Sequence, residues 1–266
     1  MSWKHVVPLL LVVATASFCP ADQPKKVLLL GQTRDHPAGS HEYMAGLRVL
    51  AKCLEKTPGL DLQIAQADEP WAEGPGLLEG ADAVVLYLGQ GGRWIQNDPR
   101  RLQAITRLAA RGGGIVALHW AIGAKDAKYI EPYRELIGGI HGGPDRRYVI
   151  LQEEAKVADP GHPIASGVEN FRLRDEFYYQ LKFTKAGTIR PILQVTIDGR
   201  PETVAWAYER PDGGRSFGFG GMHYHSNWEL PVCRRLIAQG LLWTLKLPVP
   251  QDGLAVDVPA EVLKLD

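Results

Sequence analysis

Three stretches of the chain share one form: "KKVLLLG" (Lys25 to Gly31), "ADAVVLYLGQGG" (Ala81 to Gly92) and "GGGIVALH" (Gly112 to His119). Each is a short apolar run without polar alternation, closed by glycine or by one polar residue. A strand of that kind must be covered on both faces, which is the situation of a parallel strand between two helical layers. Helical patterns lie between the runs. Tyr43, Leu47, Leu50 and Leu54 share one face from Glu42 to Lys56, and Leu102, Ile105 and Leu108 do so after Asp98-Pro99, a good N-cap and N1 pair. Strand, helix, strand, helix predicts an α/β fold with a doubly wound, mostly parallel sheet.

The remaining chain fills in that plan. "DLQIAQA" (Asp61 to Ala67) predicts a further, more exposed strand, and "WAEGPGLLEG" a loop and short turn. From Arg146 the texture becomes β-rich, with segments separated by "DPGHP", "KAG", "DGR" and "PDGG" turns that read as a later section added to the same sheet. A helix follows from Pro231 to about Leu245, and residues 248–266 are proline-spaced and read as an extended tail. Residues 1–21 have a short basic start, an apolar core and small residues before Asp22, the pattern of a secretory signal, so an exported protein is expected, periplasmic or extracellular. The apolar run is too short to span a bilayer, and no integral membrane segment is expected in the mature chain. Cys53 and Cys233 read as buried free thiols, with a disulfide between them the alternative.

Lysine plus arginine balances aspartate plus glutamate, 30 against 30, with no run of like charge, which argues against a nucleic-acid partner and for a small molecule. "LGQGGR" (Leu88 to Arg93) and "GGIHGGP" could cradle an anion, but neither has the spacing of a dinucleotide fingerprint or a P-loop.

In an open α/β sheet, ligands gather beyond the carboxyl ends of the strands, so the polar residues that follow strands are the candidates. His36 and His41 follow the first strand, His119 tips "GGGIVALH", and His223 and His225 follow "RSFGFGG". A histidine where a tight strand-to-loop turn lifts its side chain suits acid–base or metal chemistry. If extended, His223 and His225 point to one face and could share a divalent metal such as zinc, with a third ligand from His119, Glu176 or His41. Glu176, among Phe177, Tyr178 and Tyr179, could be a general acid or base, or could pair with Arg172 or Arg174; Asp175 beside it could cap a turn. His141 sits in a glycine-rich segment that could approach a ligand, Trp120 and Trp228 could stack on a sugar, and His162 reads as the organiser of a turn.

The segments "KVLLLG", "GGGIVALHWA", "HPIASGVENFRLRDEFYY" and "GFGGMHYHSNW…CRRLIAQGLLWTL" together resemble the ThuA-like (trehalose-utilisation) family over Lys25 to Leu247. The resemblance implies a class I glutamine amidotransferase-like fold, with His119 at the elbow where those enzymes carry a catalytic cysteine and His223 near their late histidine. Without that cysteine, glutamine hydrolysis has no nucleophile and is not expected. The family's association with carbohydrate use, in particular with 3-keto sugars, implies a sugar or keto-glycoside substrate, handled by isomerisation, elimination or hydrolysis. His119, His223 and Glu176 would act on it, and His36, His41, His141, Trp120 and Trp228 would contact it. A sugar-binding or interaction module without catalysis remains the alternative, and whether the histidines hold a proton or a metal stays open.

Overall fold

The computed structural model describes residues 23–265, so the leader-like segment lies outside the described residues. In chain order the strands are β1 (Lys25–Gly31), β2 (Leu60–Gln66), β3 (Ala83–Tyr87), β4 (Gly114–Leu118), β5 (Gly123–Ala124), β6 (Gly139–Gly142), β7 (Arg147–Val157), β8 (Phe171–Tyr179), β9 (Lys182–Phe183), β10 (Thr188–Ile197), β11 (Arg200–Glu209) and β12 (Arg215–Phe219). The helices are α1 (Tyr43–Leu54), α2 (Gly74–Gly80), α3 (Gly91–Gln96), α4 (Pro99–Ala110), α5 (Tyr133–Ile137) and α6 (Pro231–Thr244).

Nine strands form one sheet in the order β2-β1-β3-β4-β12-β11-β10-β7-β8. The pairs from β2 to β12 are parallel, and those from β12 to β8 are antiparallel. Alternate residues of the apolar runs enter two cores. Leu29, Val85, Val116 and Leu118 meet Leu47 and Leu50 of α1 and Leu236, Ile237 and Leu241 of α6. Leu28, Leu30, Val84, Leu86 and Ile115 meet Trp94 of α3, Ile105 and Leu108 of α4 and Ile137 of α5 on the other face. Burial on both faces is why these runs carry no polar alternation.

Local signals fix the element ends. Asp98 accepts a hydrogen bond from Arg100 N at the start of α4, and His162 caps a short turn by accepting from Ile164 N through Nδ1. Cys53 and Cys233 are free and buried. The tail runs extended to a 3-10 turn at Ala260–Leu263. It is clamped to α6 by Arg234 Nε on the Val256 carbonyl (3.0 Å) and Arg235 Nε on the Leu254 carbonyl (3.0 Å).

Three sequence expectations change. The segment expected as a loop and turn before Ala81 contains α2, whose buried Leu78 faces the core. "LGQGGR" builds α3 in place of an anion cradle, because a side chain at Gly91 would strike the Ala121 carbonyl and one at Gly92 the Tyr129 carbonyl. "RSFGFGG", expected within the appended β section, is β12, a central strand parallel to β4.

Two glycine replacements with opposite outcomes test this packing. Gly46 of α1 lies against the rings of Trp228 and Tyr87, where an added methyl group has no room. Gly46→Ala should destabilise by about 1–3 kcal/mol despite the gain in helix propensity. Gly76 of α2 faces open space, so Gly76→Ala should stabilise by about 0.5–1 kcal/mol; denaturant unfolding of the two variants reads both signs. His162 gives a pH test. Burial holds its imidazole below the usual histidine range, so as pH falls below about 6.5 the unfolded chain takes up the proton first and stability is lost. His162→Asn, which keeps a capping acceptor, should flatten part of that slope in a melting series from pH 7.5 to 5.

Candidate functional site

Beyond the carboxyl end of β4 the chain turns sharply at His119, whose φ of 50° is a left-handed conformation uncommon for a residue with a side chain. The turn lifts the imidazole over the sheet edge. Its Nδ1 faces the Gly220 carbonyl at 3.1 Å, just past the neighbouring parallel strand β12.

The second imidazole comes from the segment after β1. His41 also has a left-handed backbone, φ 52°. Its N–H donates to the His223 carbonyl (3.0 Å), and His225 N–H donates to the Gly39 carbonyl (2.8 Å) across an antiparallel bridge between Ser40 and Tyr224. Backbone pairing therefore joins the segments that follow β1 and β12. The His41 ring is oriented from behind by Asp35, with Nδ1 2.6 Å from Oδ1, and Tyr43 Oη lies 3.2 Å from the same oxygen.

His223 is placed by a buried carboxylate. Asp175 of β8 accepts from Met222 N (2.5 Å), His223 N (2.9 Å) and Glu176 N (2.9 Å). Burial pushes its carboxyl up to about 7, against those three donors, which favour the ionised form. The carboxylate fixes the turn at Met222, itself left-handed at φ 80°.

The result is a triangle of buried nitrogens. His119 Nε2 lies 2.9 Å from His41 Nε2, His223 Nδ1 lies 3.1 Å from His119 Nε2, and His41 Nε2 lies 3.1 Å from His223 Nδ1. Burial and the neighbouring imidazoles hold His119 well below the ordinary histidine range, and burial with His41 and His36 pushes His223 down to about 4. Both rings are neutral near pH 7, each with one ring nitrogen unprotonated. Since a carbonyl oxygen and a carboxylate only accept, the Nδ1 atoms of His119 and His41 donate outward, and the Nε2 atoms of both rings face inward. Two ring nitrogens 2.9 Å apart are held together by a proton or a cation shared between them.

Glu176 Oε1 stands 3.9 Å from His223 Nδ1. Burial raises its carboxyl above the usual range, opposed by a hydrogen bond from Tyr178. The Tyr178 hydroxyl is 3.2 Å from His119 Nε2. Its ring is stacked between His119 and His141, at centroid distances of 4.9 Å and 4.0 Å. Burial keeps this phenol neutral, far above the ordinary tyrosine range.

Of the residues singled out in the sequence, the fold brings His41, His119, His223 and Glu176 together, with the exposed His36 ring tilted against His41 at a centroid distance of 3.6 Å. His225 is not part of the group. It opens a 3-10 turn (His225–Glu229), which breaks the strand alternation that would have kept it beside His223, and its Nε2 faces the Leu263 carbonyl at 2.9 Å. Trp228 is fully buried against Gly46 and Tyr87 and offers no face to a sugar. Trp120 and His141 are buried behind Tyr178 and support it. Glu176 forms an ion pair with neither Arg172 nor Arg174 although the three share one face of β8; the Arg174 guanidinium lies over the Tyr224 ring instead, and Glu176 approaches His223. Asp35 and Tyr178 were not singled out. Asp35 was legible only as a carboxylate six residues before His41, and Tyr178 as one aromatic among several.

No curated protein sequence matches the chain. Solved structures of similar fold include a ThuA-like protein from Parabacteroides merdae (TM-score 0.64, 16% identity, covering 92% of this chain and 100% of that one). Another is a ThuA-like protein from Bacteroides uniformis (0.61, 13%, 86% and 95%). A cytoplasmic protein from Salmonella typhimurium also aligns (0.54, 17%, 82% and 98%). At these identities the likeness is one of fold. Residues 26–244 match the family described as trehalose utilisation, which suggests a carbohydrate-related role, and on that match the chain belongs to the ThuA family.

Proposed function

We propose that this protein is a metal-assisted proton-transfer enzyme acting on a keto-glycoside, with one divalent cation such as zinc held by His41, His119 and His223. The observation that carries the proposal is the triangle of imidazole nitrogens 2.9–3.1 Å apart, two of them on rings whose Nδ1 faces an outer acceptor. A tetrahedral ion with bonds of about 2.0–2.1 Å sets its ligand nitrogens about 3.3 Å apart, close to that spacing. The outer contacts fit as well, since ligating histidines usually donate their second N–H to a carboxylate or backbone carbonyl. Asp35 serves His41 and the Gly220 carbonyl serves His119 in that way.

A bound cation would polarise the substrate carbonyl as a Lewis acid. The carbon next to a carbonyl is acidic, and Glu176 is positioned to take its proton, with the electron pair moving onto the carbonyl oxygen as an enolate. The neutral Tyr178 hydroxyl, beside both Glu176 and His119, can donate a hydrogen bond to that oxygen. Return of the proton to the former carbonyl carbon, as the hydroxyl on the deprotonated carbon passes its own proton to the enolate oxygen, gives isomerisation. Expulsion of the glycosidic oxygen gives elimination.

The purified protein should carry about one divalent cation per chain, and it should exchange the proton next to the carbonyl of a 3-keto glucoside for deuterium, as followed by NMR in D2O. His119→Ala should lose both properties while keeping a native circular dichroism spectrum. Full exchange by metal-free protein would remove the cation from the mechanism, and sugar binding with no exchange under any loading would leave a binding module. Asp35→Asn should weaken cation affinity by about 10–100-fold in competition with a chelating dye. Glu176→Gln should slow deuterium exchange by about 10²–10⁴-fold with cation affinity unchanged.

A further inference from the structure

The hairpin that supplies Glu176 and Tyr178 carries a second feature that the proton-transfer chemistry does not use. In the β7–β8 register Tyr178 lies opposite Tyr148, Glu176 opposite Ile150, and Arg174 opposite Gln152. Directly paired residues of an antiparallel ladder point to the same face, with Cβ atoms about 5 Å apart. Tyr148 and Ile150 therefore belong to the face that carries the site, one row farther out. The opposite face holds Leu173, Asp175 and Phe177, all buried.

Tyr148 is 57% exposed and Ile150 is 47% exposed; among the described residues the only other large apolar side chain so exposed is Leu265, in the tail. Apolar side chains exposed singly are ordinary. These two stand on one face of one strand, two residues apart, beside a carboxylate and a phenol aimed at the histidine triangle. The sheet does not cover them. β10 meets β7 only at Lys156 and Val157, so residues 147–155 of β7 pair with β8 alone and the hairpin stands out as a wall.

We infer that the Tyr148–Ile150 shelf is a subsite for the glycosidic substituent of the substrate, an apolar ring face such as an aryl group or the carbon face of a second sugar. The inference rests on the glycoside reading above and adds which part of the molecule lies where. A sugar ring held between Glu176 and the histidines extends its substituent across β8, and the row it meets is Ile150 with Tyr148. Tyrosine offers a flat apolar face to such a ring, and isoleucine offers a shape-matched apolar contact.

The test is calorimetric titration with methyl glucoside, phenyl glucoside and cellobiose, unoxidised so that no turnover intervenes, on protein as purified and after chelation. Wild type should bind the phenyl glucoside or cellobiose about tenfold more tightly than methyl glucoside, and which of the two is favoured identifies the substituent. Tyr148→Ser/Ile150→Ser should bring that ratio near one with methyl glucoside affinity unchanged; both side chains are exposed, and unchanged melting would verify the fold. Equal affinities in wild type, or a ratio that survives in the double variant, would overturn the subsite alone. Absence of binding by all three probes would overturn the subsite, while the deuterium exchange described above decides the keto-glycoside reading separately. A wild-type dimer in sedimentation that the double variant dissociates would also overturn the subsite, because the shelf would then be covered by a second copy.

Discussion

One buried carboxylate joins the two halves of this protein into a site. Asp175 comes from the antiparallel end of the sheet, yet its oxygens accept the backbone N–H groups of Met222 and His223, which follow a parallel strand near the centre. Those donors would otherwise be buried without partners, a cost of about 1–3 kcal/mol each. The next residue on β8, Glu176, faces the other way and reaches the histidines. Strand alternation thus points two adjacent carboxylates in opposite directions, one to the backbone of Met222 and His223 and one to the histidine group.

Backbone strain is present in the same place. His41, His119 and Met222 all have left-handed backbones, although none is glycine. Such conformations persist only where the surroundings determine them. Here the surroundings are the parallel register of β4 and β12, the backbone bridge from Gly39 and His41 to His223 and His225, and the Asp175 hydrogen bonds. Each constraint aims a ring nitrogen at one point, and three nitrogens within hydrogen-bond distance of one another form a natural cage for a positive charge.

Much of this was legible in sequence because the determining interactions are local. Unbroken apolar runs specify buried parallel strands, and Asp98-Pro99 specifies a helix start through its own side chain and ring. The positions of His119 and His223 followed from placing polar residues at strand ends. Trp228 and His225 failed for a matching reason. Both lie within the short turn His225–Glu229, and no periodicity tells whether such a turn faces the site or the core. In "WAEGPGLLEG" the glycines masked a helix, since propensity opposed it and only burial of Leu78 favoured it.

The sequence by itself determined the fold class, the strands β1 to β4 and the strand-end candidates, because hydrophobic periodicity and capping act over a few residues. The tertiary structure alone decided that His41, rather than His225, completes the group with His119 and His223. That choice depends on contacts between residues 182 positions apart. It is set by the bridge between Ser40 and Tyr224 and by a buried Asp175 whose partners lie about fifty residues downstream. Contacts at that range leave no pattern in a single chain, because they arise when burial forces distant backbone groups to satisfy one another.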